Sequence, residues 1–178
     1  AVIHSGLEVV SPGRAHRSMP KAIKLIVTDF DGVLTDGRVW VNENGQETVA
    51  ANRSDSMRIR QMRELGMDVI ILSSEVNPVV SMRAKKMKVE ALHGMGLDEK
   101  GEVLKKYLAE KNIDPSQVVY LGNDFNDLPC FEIAGWSVAV ADAYPDVLRV
   151  ADHVLKTNGG FGALRELCDL ILKEYKEN

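Results

Sequence analysis

The chain has 178 residues, 45% of them hydrophobic and 27% charged, which is globular composition and excludes a disordered polypeptide. Lys and Arg total 22 against 26 Asp and Glu, a formal net charge of −4, so there is no electrostatic footprint for nucleic acid and no polybasic patch for a membrane. No apolar run approaches the roughly 20 residues that a membrane-spanning helix needs. The two cysteines, Cys130 and Cys168, lie far apart and suit neither a disulfide scaffold nor a metal-ligand spacing, which points to a reducing intracellular compartment.

Residues 1–20 are rich in Ser, Pro, Gly and Arg and read as a flexible linker that comes after a preceding domain, with one domain from 21 to 178. The β-branched run at 23–27 predicts a buried strand that stops at Thr28-Asp29-Phe30-Asp31-Gly32. Residues 38–41 and 46–49 flank Asn42-Glu43-Asn44-Gly45, where Asn-Gly is a strong hairpin signal. A lone hairpin is marginal in water. Val39, Trp40, Val41 and Val49 therefore predict a packing surface. Helices are predicted near 54–65, 78–86, 98–110 and 126–134, with Ser54 as an N-cap and Pro78 at a first helical position. Further strands are predicted at 68–72, 117–121 and 137–140. Alternating strands and helices predict a parallel α/β sheet, whose ligands sit at the carboxyl ends of the strands. Three of those ends carry Asp29 with Asp31, Ser73, and Asn123 with Asp124.

Two carboxylates at i and i+2 just past a buried strand can divide labour. One attacks phosphorus and holds a divalent cation, while the other gives and takes a proton. The cation is needed because phosphoryl oxygens and carboxylates repel one another. Taken alone, Asp-x-Asp reads equally well as a polar turn. Ser73 offers a hydroxyl for a phosphoryl oxygen, Lys100 offers charge at a helix start, and the segment 122–127 offers further oxygens. Their order along the chain, each at an element boundary, makes the set stronger than its members. His93 and His153 have no partner at ligand spacing, and Gly159-Gly160 reads as a loop-to-helix turn.

The combination resembles the haloacid dehalogenase superfamily of aspartate-nucleophile phosphatases, over nearly the whole chain. It is most similar to the capless branch that includes 3-deoxy-D-manno-octulosonate 8-phosphate phosphatase. The marks are Asp29-Phe30-Asp31-Gly32-Val33-Leu34-Thr35-Asp36-Gly37, the hairpin after it, Leu128-Pro129, and Gly159-Gly160-Phe161-Gly162-Ala163-Leu164-Arg165-Glu166. More narrowly, the chain resembles the C-terminal domain of animal CMP-N-acylneuraminate (CMP-sialic acid) synthetases. The resemblance implies a three-layer Rossmann-like fold with a hairpin flap after the first strand. It implies Asp29 as nucleophile, Asp31 as acid/base, Lys100 as the neutralising lysine and Ser73 as a substrate-binding hydroxyl. A magnesium site would draw on Asp29, Asp31, Asn123, Asp124 and Asp127. The resemblance also implies a homotetramer joined through Val39, Trp40, Val41 and Val49, a synthetase domain earlier in the same chain, and a nuclear address.

Three positions depart from the family pattern. Asn123 stands where the fourth motif has its first aspartate, and an amide oxygen binds magnesium without offsetting its charge. Ser74-Glu75 stands where the sugar-acid phosphatases have Gly-Arg. Asp55-Ser56 replaces their Asp-Gly. Clustered around one pocket while the hairpin keeps its apolar pattern, these changes favour a non-catalytic oligomerisation platform for a CMP-sialic acid synthetase. The alternative is a magnesium-dependent sugar-acid phosphate phosphatase that works through an aspartyl-phosphate.

Overall fold

A computed structural model describes residues 15–178. Its main sheet has six parallel strands in the order β5-β4-β1-β6-β7-β8. These are β1 (Leu25–Thr28), β4 (Asp68–Ser73), β5 (Glu90–His93), β6 (Val118–Gly122), β7 (Trp136–Ala139) and β8 (His153–Val154). The separate hairpin is β2 (Trp40–Val41) with β3 (Glu47–Thr48). β1 lies at the centre, with every residue buried, because Leu25, Ile26 and Val27 serve helices on both faces. Its register pairs Val27 with Ile70 on one side and with Tyr120 on the other.

Among the described residues, six α-helices flank the sheet: α1 (Ile59–Glu64), α2 (Val79–Met87), α3 (Lys100–Lys111), α4 (Leu128–Ile133), α5 (Pro145–Val150) and α6 (Ala163–Glu177). α1 packs on α6, and α3 on α4. α6 buries Ala163, Leu164, Leu167, Cys168, Ile171 and Leu172, a stripe at helical spacing. The chain moves outward from β1 to β4 and β5, then returns to the other side of β1 for β6. The crevice that opens where this order reverses lies at the carboxyl end of β1, the place where open α/β sheets bind ligands.

The α/β parallel sheet, its four predicted strands and the hairpin are all present. The helix predicted over 54–65 divides into a 3-10 turn at Arg53–Ser56 and α1. Asn52 rather than Ser54 caps that turn, its Oδ1 accepting from the Ser54 N–H at 2.9 Å and the Ser54 hydroxyl at 2.7 Å. The hairpin strands are two residues each instead of four, and both are exposed. β5, β8, α5 and α6 go beyond the predicted elements. β5 is a partly exposed edge with no clean alternation, and β8 is only two residues long.

Of the predicted linker, residues 1–14 lie outside the described residues. Arg17 ties the rest of that segment to the domain. Its backbone N–H donates to Asp152 Oδ1 at 2.7 Å, and its side chain donates to Asp152 Oδ2 at 3.0 Å and to the carbonyls of Phe131, at 3.0 Å, and Ala134. Trp136 Nε1 donates to the Arg17 carbonyl at 3.1 Å. Cys130 and Cys168 are buried and free, and burial pushes the Cys130 thiol up to about 12.

Candidate active site

The chain leaves β1 and folds at once into a tight loop. The N–H groups of Val33, Leu34 and Thr35 all turn back to the Phe30 carbonyl, at 3.3, 2.9 and 3.1 Å. Phe30, Val33 and Leu34 anchor the loop by burying their side chains in the core. Thr35 Oγ1 accepts from Gly32 N–H at 3.2 Å and Gly37 N–H at 3.1 Å. From far along the chain, Gly160 N–H donates to the Val33 carbonyl at 2.9 Å, and Gly159 lies so close that a Cβ there would stand 1.8 Å from the Gly32 oxygen. The pair read as a loop-to-helix turn is thus a brace on the loop that carries Asp29 and Asp31.

Asp29 is 5% exposed, and its Oδ1 accepts from the Phe30 N–H at 2.7 Å. Its Oδ2 stands 3.3 Å from Lys100 Nζ, and the same ammonium donates to Asp127 Oδ1 at 2.7 Å. Lys100 opens α3, and its side chain is fully buried against the Tyr120 ring, 5.8 Å from the centroid. Tyr120 donates its hydroxyl to Asp127 Oδ1 at 2.6 Å. The Asn123 and Asp124 N–H groups take Asp127 Oδ2, at 2.8 and 3.2 Å. Asp127 is therefore occupied on both oxygens and does not reach the cavity wall. It braces Lys100 and the loop after β6 and does not stand with the metal candidates. Tyr120 is legible in the sequence only as a strand residue, because the partner of its hydroxyl lies one turn beyond the strand.

Burial raises the Asp29 carboxyl well above the ordinary range, Asp127 adds to this, and Lys100 opposes it. Asp127 is also penalised by burial, but Lys100 and its other donors outweigh the penalty and hold it below the ordinary value. For Lys100 the penalty of burial is likewise outweighed, by Asp127 and then Asp29, so its ammonium is held more firmly than usual. Asp31 is half-buried. Burial first and Glu75 next raise its carboxyl, Glu47 contributes in the same direction, and Lys100 opposes. A raised carboxyl is what a proton donor needs near neutral pH.

Asp29, Asp31, Gly32, Asn123 and Asp124 line a cavity of about 250 Å³. Ser73 does not line it. Its hydroxyl is buried and accepts from the Glu75 N–H at 3.1 Å, while Ser74 forms the wall there. Leu97, Asn126 and Tyr144 also line the cavity. Asn126 falls within the segment 122–127 already singled out, whereas Leu97 and Tyr144 come from stretches that carry no motif, so no local signal marks those two in the sequence.

Among the described residues, no group of three His, Cys, Asp or Glu side chains is arranged to hold a metal ion. A cation at this cavity therefore relies on a mixed oxygen set. One end of the Asn123 amide stands 3.1 Å from the Asp31 carbonyl oxygen and 3.2 Å from Asp29 Oδ2. Turned one way, the amide NH2 donates to both. Turned the other, three oxygens lie together in a place where a cation would offset their repulsion. One carboxylate, one carbonyl and one amide oxygen fit a small hard cation such as magnesium.

A family model described as haloacid dehalogenase-like hydrolase matches residues 95–167. The 3-deoxy-D-manno-octulosonate 8-phosphate phosphatase of Haemophilus influenzae is 36% identical over 151 residues, covering 85% of this chain and 83% of the relative. A cobalt-bound structure of the phosphatase from that organism superposes with a TM-score of 0.80 at 34% identity, covering 86% of this chain and 90% of the other. The Moraxella catarrhalis phosphatase, in complex with magnesium, phosphate and the octulosonate sugar, gives a TM-score of 0.80 at 30% identity, over 87% and 90% of the two chains. Relatives with this fold thus hold magnesium or cobalt. The chain belongs to the haloacid dehalogenase-like hydrolases and is related to the capless 3-deoxy-D-manno-octulosonate 8-phosphate phosphatases.

Proposed function

We propose that this chain is a magnesium-dependent phosphatase of sugar phosphomonoesters. The observation that carries the reading is the buried Asp29 carboxylate, 3.3 Å from Lys100, with the Asn123 amide 3.2 Å from its Oδ2 and 3.1 Å from the Asp31 carbonyl, all three residues lining one cavity. Asp29 attacks phosphorus, forming the Asp29–phosphorus bond as the ester oxygen leaves, and Asp31 gives that oxygen its proton. Water then attacks the aspartyl-phosphate, Asp31 takes the proton back, and phosphate departs with Asp29 restored. Lys100 stays charged throughout and limits repulsion between Asp29 and the phosphoryl oxygens. Asp29 Oδ2, the Asp31 carbonyl and the Asn123 amide oxygen would hold magnesium, whose charge offsets the same repulsion. The test is phosphate release by the 178-residue chain from sugar phosphates in magnesium, with Asp29→Asn as the blank. Release no greater than that of the blank removes the reading.

The hairpin supports a second reading, an oligomerisation platform. Val39, Trp40 and Val41 are 46%, 72% and 60% exposed, an apolar surface left unpacked, while Val49 packs against the core. On this reading four chains associate through their hairpins. The finer likeness to the CMP-sialic acid synthetases, with a synthetase domain in the same chain and a nuclear address, belongs with it. Light scattering by the native chain and by Trp40→Ala decides it: a tetramer that the substitution weakens supports the platform, and a native monomer at micromolar concentration removes it. A platform and a working phosphatase are compatible.

A further inference from the structure

At the amino end of the sheet, opposite the cavity, the end of α4 and the start of β7 frame a polar notch. Asp152 is its floor, with a side chain 2% exposed. Ser137 holds that carboxylate in place. Its N–H and hydroxyl donate to Asp152 Oδ2 at 2.8 and 2.9 Å, and its Oγ accepts from the Asp152 N–H at 3.0 Å. The carbonyls of Phe131 and Ala134 form the rim, at a helix end where such groups lack an intrahelical donor. Arg17 fills the notch with all three guanidinium nitrogens. Nε donates to Asp152 Oδ2 at 3.0 Å, Nη2 stands 2.9 Å from the same oxygen and donates to the Phe131 carbonyl at 3.0 Å, and Nη1 donates to the Ala134 carbonyl. A second clamp follows: the Tyr175 hydroxyl, near the end of α6, donates to the Pro20 carbonyl at 3.1 Å and accepts from the Ile23 N–H at 2.9 Å. Met19 packs against the core between the two.

We infer that this notch is a guanidinium-binding site and that residues 15–20 are a latch carrying its ligand, so that the chain ahead of Arg17 leaves the domain at the end of the sheet away from Asp29. Ser137 fixes the carboxylate, so the site does not need the segment to shape it. Emptied, it holds a buried carboxylate and two carbonyls short of donors, an arrangement that calls for a cation. The planar fork of a guanidinium meets all three groups at once, whereas a lysine ammonium is a single point and cannot. A stretch whose composition reads as flexible linker is thereby held at Arg17 and again at Pro20. The inference stands apart from the phosphatase reading.

Trypsin reads the latch directly, because cutting after Arg17 requires that side chain to leave the notch for the pocket of the protease. In the 178-residue chain, cleavage of the Arg17–Ser18 bond is expected to be about tenfold faster in Asp152→Asn than in the native protein, with cuts inside the domain no faster. Arg17→Ala empties the notch and leaves its walls. Its Ser137 amide resonance is expected to move from the native position and to return saturably with millimolar methylguanidinium, but not with methylammonium at the same ionic strength. Arg17→Lys is expected to melt about 5 °C below the native chain, close to Arg17→Ala. Equal cleavage after Arg17 in the native and Asp152→Asn chains, an Arg17→Lys chain that matches the native one, or a Ser137 resonance that answers both ions alike or neither overturns the inference.

Discussion

Lys100 and Asp127 are joined Nζ to Oδ1 at 2.7 Å with both side chains wholly out of water. Removing one partner of such a pair leaves the other charge buried without compensation, which costs about 3–5 kcal/mol. Here Asp29 makes matters worse, since two carboxylates then share a site with no cation. Lys100→Met should lower unfolding stability by that amount in urea titrations at neutral pH. Asp127 is held below the ordinary carboxylate range, so its contribution is present above about pH 4 and fades as pH falls through the lowered value. The gap between native and Lys100→Met chains should therefore close in acid. A gap unchanged at pH 3 would show that packing rather than charge accounts for it.

Asn123→Asp should have opposite effects with and without metal. Without a cation, the amide that can donate to Asp29 Oδ2 and the Asp31 carbonyl is replaced by an oxygen facing both, at 3.2 and 3.1 Å in the present geometry. Stability should drop by roughly 1–3 kcal/mol, the cost of leaving buried polar groups unpaired. With magnesium, the second carboxylate should tighten binding about tenfold, roughly 1.4 kcal/mol. Thermal melting with and without magnesium, beside calorimetric titration of the metal, reads both effects.

Gly32 takes φ +79°, and a Cβ there would stand 2.0 Å from Asn123 Nδ2. Gly32→Ala thus combines a left-handed backbone with a collision against the amide that faces Asp29. A loss of about 1–3 kcal/mol is expected from the backbone alone, with weakened magnesium binding because Asn123 must move. Unchanged metal affinity in calorimetry would mean that the loop rather than Asn123 yields.

Asp55 lies 1% exposed beneath the start of α6. Its Oδ1 accepts from the Arg165 N–H at 3.3 Å, and its Oδ2 has no partner among the described residues. Burial pushes its carboxyl up to about 6. A raised carboxyl contributes stability that is complete below the unfolded value near 4 and is lost as pH rises through 6, roughly 3 kcal/mol in all. Asp55→Asn should not show that loss. The stability difference between the two chains, followed by urea unfolding from pH 4 to 7, should shift by this amount in favour of the variant. A constant difference would place the proton elsewhere.

Much of the site is legible along the chain. Asp29, Asp31, Ser73 and Asn123 stand at the ends of apolar runs that become β1, β4 and β6, and Lys100 opens a helical stretch that becomes α3. Patterns of this kind are local. Burial of a β-branched run, a turn signal such as Asn44-Gly45 and helical spacing each reflect the conformational preference of a few neighbouring residues. They are enough to set the parallel α/β class and the order of the chemistry-bearing segments.

The roles within those segments depend on contacts between residues distant in sequence. Asp127 turns from candidate ligand to brace because Tyr120 and Lys100, the latter 27 positions away, saturate one of its oxygens and the loop amides the other. Gly159 and Gly160 become part of the nucleophile loop because the start of α6 closes over Gly32 and Val33. The sequence alone determined which oxygens are available for the chemistry. Only the tertiary structure decided which of them face the cavity, because that choice is made by hydrogen-bond saturation and close packing among strands and loops that no local pattern connects.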